Sequence, residues 1–263
     1  MKLNLQELTE KVRALAVETG SFIRQERSRF SRERVEKKHA HDYVSYVDKE
    51  SERRIVACLR ELLPEAGFIV EEGSAGFSGE PYCWVVDPLD GTTNFIHDNA
   101  PYCVSIALRD REEILIGVVY EICRGECFWT CKGDSSYRNG EPVHVSDVDC
   151  ADNAFLALGL PYDADAYRPV FRKLVDGVYG KVAGTRVVGA AAAEMCYVAC
   201  GRFDARVEAL LGPWDIAAGI LIVQNAGGRV TDFCGGDSYE QGSQVVASNG
   251  KIHDFLLKIL AGS

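Results

Sequence analysis

Trp84-Val85-Val86-Asp87-Pro88-Leu89-Asp90-Gly91-Thr92-Thr93-Asn94-Phe95 is the stretch of this 263-residue chain that says most about its fold and chemistry. The apolar run at residues 84–86 suits a buried strand, which places Asp87 where that strand leaves the core. Pro88 biases Asp87 toward extended backbone and removes an amide donor. Leu89 can then present its carbonyl while Asp90 turns back toward the same point. Gly91 lets the backbone approach a bound group closely, and Thr92, Thr93 and Asn94 are cap-type residues that open a helix whose free amides favour an anion. Two carboxylates brought together repel and raise each other's pKa unless a cation compensates them. A hard divalent cation is the simple remedy; magnesium prefers oxygen ligands and keeps several waters, so a few carboxylates plus substrate phosphate oxygens complete its shell. Taken alone, an Asp-x-x-Asp-Gly segment is more often an ordinary turn, so the surrounding chain has to decide.

On the N-terminal side, Leu5, Leu8, Val12, Leu15, Ala16, Thr19 and Phe22 recur every three or four positions, which predicts an amphipathic helix over 3–22. Residues 24–41 form a basic and polar stretch, read as a solvated helix end and mobile loop because Arg alternates with Glu and no aromatics interleave. A second helix is expected over 51–63, ended by Pro64. Strand-like segments follow at 68–71, 83–86, 103–108, 114–120 and 127–131, separated by Gly, Asp and Asn turns. Beyond 149, helices alternate with short buried strands at 169–177, 190–200, 203–207, 216–225 and 228–232, and a closing helix is expected at 252–260. Two subdomains with a shared tight interface are expected, residues 1–149 and 150–263.

Charge and composition narrow the function. The chain carries 29 Lys plus Arg against 39 Asp plus Glu, a net charge of −10, so bulk electrostatics argue against a nucleic-acid partner. With 47% hydrophobic and 26% charged residues it reads as an ordinary globular protein. No apolar run approaches the ~20 residues of a bilayer span, and residues 1–10 lack the basic-then-apolar order of a secretory signal. A cytoplasmic protein with no membrane partner is expected. Its ten cysteines are expected to be mostly reduced core thiols. Cys123, Cys127 and Cys131 lack zinc-finger spacing; with a turn at 124–126, Cys123 and Cys127 are expected to face each other across two strands.

Three motifs, in order and with near-family spacing over almost the whole chain, resemble the inositol monophosphatase family. The first is the 84–95 segment itself, matching aromatic-apolar-apolar-Asp-Pro-apolar-Asp-Gly-Thr-Thr-Asn-Phe. A second is Trp214-Asp215-Ile216-Ala217-Ala218-Gly219 with the later Ala226-Gly227-Gly228, and a third is the apolar strand ending in Glu71-Glu72. The resemblance implies a layered αβαβα sugar-phosphatase fold of the α+β class, with an N-terminal antiparallel sheet and a C-terminal mixed sheet. It further implies magnesium-dependent hydrolysis of a phosphate monoester, foremost myo-inositol monophosphate, by metal-activated water. A homodimer and inhibition by lithium belong to the same implication.

Carried across residue by residue, Glu71, Asp87 and the Leu89 carbonyl would hold one Mg2+, and Asp87, Asp90 and Asp215 a second, with a third weaker ion near Glu71 and Mn2+ as the expected substitute. Thr92 with Asp48 would orient the attacking water and move its proton, Glu71 being the alternative base. Asp48 reads equally well as a helix N-cap. Phosphate would meet backbone groups at Asp90, Gly91 and Thr92 and at Gly189-Ala190-Ala191, where Ala190 stands in place of the family's usual Thr and removes a hydroxyl. Glu208, seven residues before Asp215, matches the family glutamate that accepts polyol hydroxyls. Lys37 or Lys38 corresponds to a loop lysine near the metals, while His39, His41 and Val70 depart from the pattern.

Related phosphatases acting on fructose bisphosphate, histidinol phosphate or phosphoadenosine phosphate share the ligands, so the preferred substrate stays open. A haloacid-dehalogenase-type enzyme, which forms an aspartyl phosphate, needs its two aspartates two residues apart, whereas Asp87 and Asp90 are three apart. A module that holds metal without turnover is the remaining alternative.

Overall fold

The computed structural model describes residues 3–31, 35–39, 42–161, 164–239 and 244–261. Five layers stack in the order helix, sheet, helix, sheet, helix. The first holds α1 (Leu5–Arg27) and α2 (Tyr46–Leu62), whose buried stripes, among them Val12, Ala16, Ile23, Ile55 and Leu59, lie on one face of a seven-stranded sheet.

That sheet runs in the order β3 (Ala66–Val70), β4 (Tyr82–Asp90), β5 (Cys103–Arg109), β6 (Ile114–Glu121), β7 (Glu126–Cys131), β8 (Tyr137–Arg138), β9 (Glu141–Pro142). It is antiparallel throughout except at its edge, where β3 lies parallel to β4. Strand alternation divides its side chains cleanly: Trp84, Val86, Val104, Ile106, Ile116 and Val118 face α1 and α2, whereas Val85, Ala107 and Val119 face the central helices. Those are α5 (Ala191–Ala199) and α6 (Pro213–Asn225), buried on both sides and built from small residues that let backbones approach closely. Gly117 shows how tight the packing is, since a Cβ there would lie 2.6 Å from the Ala218 carbonyl.

The fourth layer is a five-stranded mixed sheet ordered β11 (Gly184–Arg186), β10 (Phe155–Leu158), β12 (Ala205–Ala209), β14 (Gln244–Ser248), β13 (Arg229–Thr231). Its first three strands are parallel and its last two pairings antiparallel. Leu156, Leu158, Val207 and Val246 turn outward onto α4 (Ala164–Val178) and α7 (His253–Ala261), which supply Phe171, Leu174, Leu256 and Leu260. A short helix α3 (Thr92–His97) closes the molecule beside the first sheet.

Three readings from sequence need correction. Within the stretch expected to be a mobile loop, residues 35–39 form β1 (Val35–His39), paired antiparallel with β2 (Asp42–Ser45). Charged residues on a two-stranded ribbon satisfy the backbone without an apolar face, so periodicity gave no warning. Cys123 and Cys127 do not face each other: β6 pairs Glu121 with Glu126 and Tyr120 with Cys127, which leaves Cys123 exposed in the turn. Strand β4 continues past Val86 through Asp90 rather than leaving the core at Asp87. All ten cysteines are free thiols, five of them buried. No helix among the described residues is long and apolar enough to cross a membrane.

Candidate active site

Pro88 interrupts the β4–β5 ladder, because it has no N–H to donate. Pairing runs Asp87 with Ser105 and then Asp90 with Cys103, so β4 uses three steps where β5 uses two. A β-bulge of this kind undoes the usual alternation. Residues three apart on a regular strand point to opposite faces; here Asp87 and Asp90 both stand over the face carrying Cys103 and Ser105, toward α5 and α6. Inside the bulge the Asp87 Oδ1 accepts the Leu89 N–H at 2.9 Å.

Asp215 reaches the same place from α6. Gly212 and Pro213 start that helix, and the Asp215 carboxylate in its first turn accepts the Gly212 N–H at 2.6 Å. Ser105 donates to the Trp214 carbonyl at 3.2 Å, which fastens α6 to the strand opposite Asp87. Carboxylate oxygens of Asp87, Asp90 and Asp215 consequently lie within 4.8 Å of one another. Glu71 follows the last residue of β3, its N–H donating to the Val86 carbonyl at 3.3 Å, and its carboxyl is a hydrogen-bonding neighbour of Asp87.

Electrostatics follow from that crowding. Burial, then the charges of Glu71, Asp90 and Asp215, push Asp87 well above the ordinary carboxylate range. Asp215 is raised to about 8 by burial and by Asp90 and Glu71, against the opposing Gly212 amide and Arg206 charge. Asp90 is raised by burial in spite of three donors: the Cys103 thiol at 3.2 Å, and the Ala191 and Ala192 amides at 3.0 and 2.8 Å. The three clustered donors are all carboxylate oxygens with no imidazole or thiolate among them, a set that suits a hard cation such as Mg2+ or Mn2+ better than zinc.

Thr92 and Asp48 meet beside this cluster. The Thr92 hydroxyl lies 2.8 Å from Asp48 Oδ1 and 3.0 Å from the Leu89 carbonyl, so its single proton has two acceptors. Gly91 makes the approach possible by taking φ 87° as the cap of α3; a Cβ there would lie 3.1 Å from both the Pro101 carbonyl and the Ala190 methyl. Asp48 is not the N-cap of α2. Ser45 caps it, and Asp48 at the third position completes a capping box, its Oδ2 accepting the Ser45 N–H and hydroxyl at 2.9 and 2.6 Å. Its other oxygen is thereby left for Thr92. Burial raises the Asp48 pKa, and the bonds from Ser45 and Thr92 oppose that rise.

Sequence reasoning missed several residues that hold this arrangement. Glu52, fully buried one turn after Asp48, accepts the Glu72 and Ser74 amides at 2.7 and 2.8 Å and so fixes the chain just past Glu71. A charge on the apolar stripe of α2 was its one available signal. Asn94 donates to the Pro101 and Val188 carbonyls, both at 2.9 Å, tying α3 to the loop before α5. That loop differs from a simple anion cradle. Its Gly189 N–H donates to Glu194 at 2.9 Å and its Ala191 N–H to Asp90, so the helix start is already facing protein carboxylates. Glu208 lies on β12, ion-paired with the fully buried Arg206, which also contacts Glu194. The side chains of Lys37, Lys38 and His39, and all of His41, lie outside the described residues.

Layer order and acidic centre together define an αβαβα sugar-phosphatase fold. The chain belongs to the inositol monophosphatase family, whose model matches residues 4–263. It is similar to the fructose-1,6-bisphosphatase/inositol-1-monophosphatase of Aquifex aeolicus, with 34% identity over 256 residues covering 97% of this chain and 96% of that one. Nus factor SuhB of Pseudomonas aeruginosa is 41% identical over 234 residues, 85% of this chain and 84% of its own. Among solved structures, the extragenic suppressor protein suhB of Bartonella henselae superposes with a TM-score of 0.92 at 32% identity, covering 97% and 98% of the two chains.

Proposed function

We propose that the protein hydrolyses a phosphate monoester in a magnesium-dependent reaction, with myo-inositol monophosphate as the first-choice substrate. The observation that carries this reading is the trio of buried Asp87 and Asp90 with half-buried Asp215, carboxylates gathered within 4.8 Å whose raised pKa values suit a centre that takes up a cation. Glu71 and the Leu89 carbonyl would complete the ligand set for two to three Mg2+ ions. Bound there, the ions would supply the positive charge that attracts phosphate and the acidity that activates water.

The chain's own groups do the positioning. Thr92, whose hydroxyl proton is shared between Asp48 and the Leu89 carbonyl, offers an oriented lone pair toward the acidic centre. Asp48, buried and raised, is the proton acceptor behind it, with Glu71 as the alternative base. Gly91 and the Gly189-Ala190-Ala191 segment form the phosphate-facing wall, and Glu208 accepts a polyol hydroxyl. Residues 1–149 would then carry most ligands, and residues 150–263 would add Asp215 and the substrate contacts. A cytoplasmic homodimer sensitive to lithium remains part of this proposal.

Phosphate release from a panel of phosphorylated polyols, sugars, bisphosphates and nucleotides, with and without magnesium, tests it directly. Turnover of an inositol monophosphate that vanishes in chelator is expected, and Asp90→Asn should lower it by about 100-fold or more while leaving the circular dichroism intact. Absence of turnover on the whole panel would leave the metal-holding module as the better account. Turnover of an ester made chiral at phosphorus with oxygen isotopes should invert the phosphorus centre, as one displacement by water does; net retention would replace direct water attack by an aspartyl phosphate on Asp87. The 41% identical relative carries the name Nus factor, which favours a second reading in which this chain joins a transcription assembly. The same Asp90→Asn protein separates the two, because an assembly role should survive the loss of turnover.

A further inference from the structure

Arg206 is fully buried, yet it sits on a strand whose neighbours Ala205, Val207 and Ala209 supply the apolar face. Its guanidinium crosses from β12 to α5. Nε lies 3.2 Å from Glu194 Oε2, and Nη2 pairs with Glu208 Oε2. Nη1 is buried and has no hydrogen-bond partner among the described residues. Glu194 is buried as deeply, and its second oxygen accepts the Gly189 N–H at 2.9 Å. Glu208 is the one member that opens outward, with a fifth of its side chain exposed. Gly159 leaves it room: a Cβ at that position would fall 2.0 Å from the Glu208 carboxyl carbon.

Such a network is a poor way to gain stability, because apolar residues of similar volume usually do as well as a buried ion pair. What it provides is geometry. A glutamate on a strand edge ordinarily samples several rotamers, and one oxygen held by a planar fork removes most of that freedom. We infer that Arg206 is a positioning residue: it fixes Glu208 so that its other oxygen meets a substrate hydroxyl, while the Gly189 N–H needs from position 194 only an acceptor oxygen, which a glutamine also supplies. This rests on the proposed phosphatase activity and adds to it the element that selects a hydroxyl-bearing substrate. With two carboxylates and one guanidinium the network carries one net negative charge, so it favours neutral hydroxyls over a second phosphate.

Steady-state kinetics of the magnesium-loaded enzyme on inositol 1-phosphate and on p-nitrophenyl phosphate, which has no hydroxyls to recognise, provide the test. The double variant Glu194→Gln/Arg206→Met removes both buried charges and leaves none unpaired between them. It should raise KM for inositol 1-phosphate by about 10-fold, the size of one lost hydrogen-bonding contact, with kcat and the p-nitrophenyl phosphate parameters within about 2-fold of wild type. Arg206→Lys, which keeps the charge but cannot span both glutamates, should shift the same ratio by about 3-fold and decides the matter if the double variant does not fold. A wild-type substrate ratio in the folded variants would overturn the inference while leaving the phosphatase reading in place. Wild-type enzyme inactive on both esters would overturn the two together.

Discussion

Two groups of buried charge lie side by side in the centre of this molecule and are built on opposite rules. In the acidic centre, Asp87, Asp90 and Asp215 crowd together with Glu71 beside them, and every one of the three has its pKa pushed up. One helix turn away, Glu194 and Glu208 flank Arg206, and the charges are answered within the fold. A self-compensated network holds its shape without a ligand. The uncompensated one stores repulsion that only an added cation or protons relieve. The same elementary change, removing one charge, should therefore move stability in opposite directions at the two places.

The largest effect is expected at Arg206. Replacing it alone by Met strips the cation from two glutamates, one of them fully buried, and should cost about 3–5 kcal/mol in chemical denaturation with chelator present. Adding Glu194→Gln should recover most of that loss, a coupling that a double-mutant cycle measures. If the single and double variants unfold at the same denaturant concentration, the network is not acting as a unit.

Magnesium should act on the other group and with the opposite sign. A ligand that binds only the native state stabilises it by about 2.7 kcal/mol at a hundred times its Kd. Thermal unfolding of the chelator-treated protein should therefore shift upward on adding Mg2+, and the shift should be lost in Asp215→Asn. An equal shift in both proteins would move the ion to some other site.

How far these two groups were legible beforehand follows from what a linear pattern encodes. The acidic centre is announced by Asp87-Pro88-Leu89-Asp90-Gly91, because Pro88 and Gly91 are local devices whose backbone effects act on their neighbours. That Pro88 would create a bulge, and so bring both aspartates to one face, needed the partner strand and its register. Arg206 is the harder case. Ala205-Arg206-Val207-Glu208-Ala209 alternates as a half-solvated strand should, and the period of two correctly separates its faces. It says nothing of what covers the polar face, which here is α5 rather than water. Strands β10 and β14 went unread for a related reason: Phe155–Leu158 and Gln244–Ser248 are too short to show a period before their neighbours are known. Elements that bury one continuous stripe, such as α1 and α2, were visible from spacing alone, though their ends shifted by several residues.

His253 shows a third way of burying an ionisable group, by keeping it neutral. Its ring nitrogens lie 2.8 Å from the Thr231 hydroxyl and 2.7 Å from that of Ser248, and burial, with the Arg229 charge, pushes its pKa down to about 4. The unfolded chain, with an ordinary histidine near 6.5, binds the proton more readily. Stability from this group is then complete above about pH 6.5 and is lost as pH falls toward 4, by about 2 kcal/mol after allowance for solvent screening. Unfolding free energies measured between pH 7 and 4 in saturating magnesium should show that decline, and His253→Gln should flatten it. An unchanged acid limb in the variant would assign the decline to other groups.

The smallest effect gives the sharpest contrast. Asp87 stands at the middle of the repulsion, with Glu71, Asp90 and Asp215 all raising its pKa, and its Oδ1 accepts the Leu89 amide inside the bulge. Asparagine keeps an acceptor for that amide and removes the charge. In metal-free protein Asp87→Asn should be more stable than wild type by about 1 kcal/mol near neutral pH, because burying an ionisable carboxyl among Glu71, Asp90 and Asp215 carries a cost that the neutral amide does not. Saturating magnesium should reverse the order, because wild type gains the bound cation and the variant loses a ligand. Denaturant titrations of both proteins, with chelator and with magnesium, read the two signs directly. A variant less stable than wild type in chelator would mean that the four carboxylates already share protons or donors enough to cancel their repulsion, and the contrast between the two charge groups would fail.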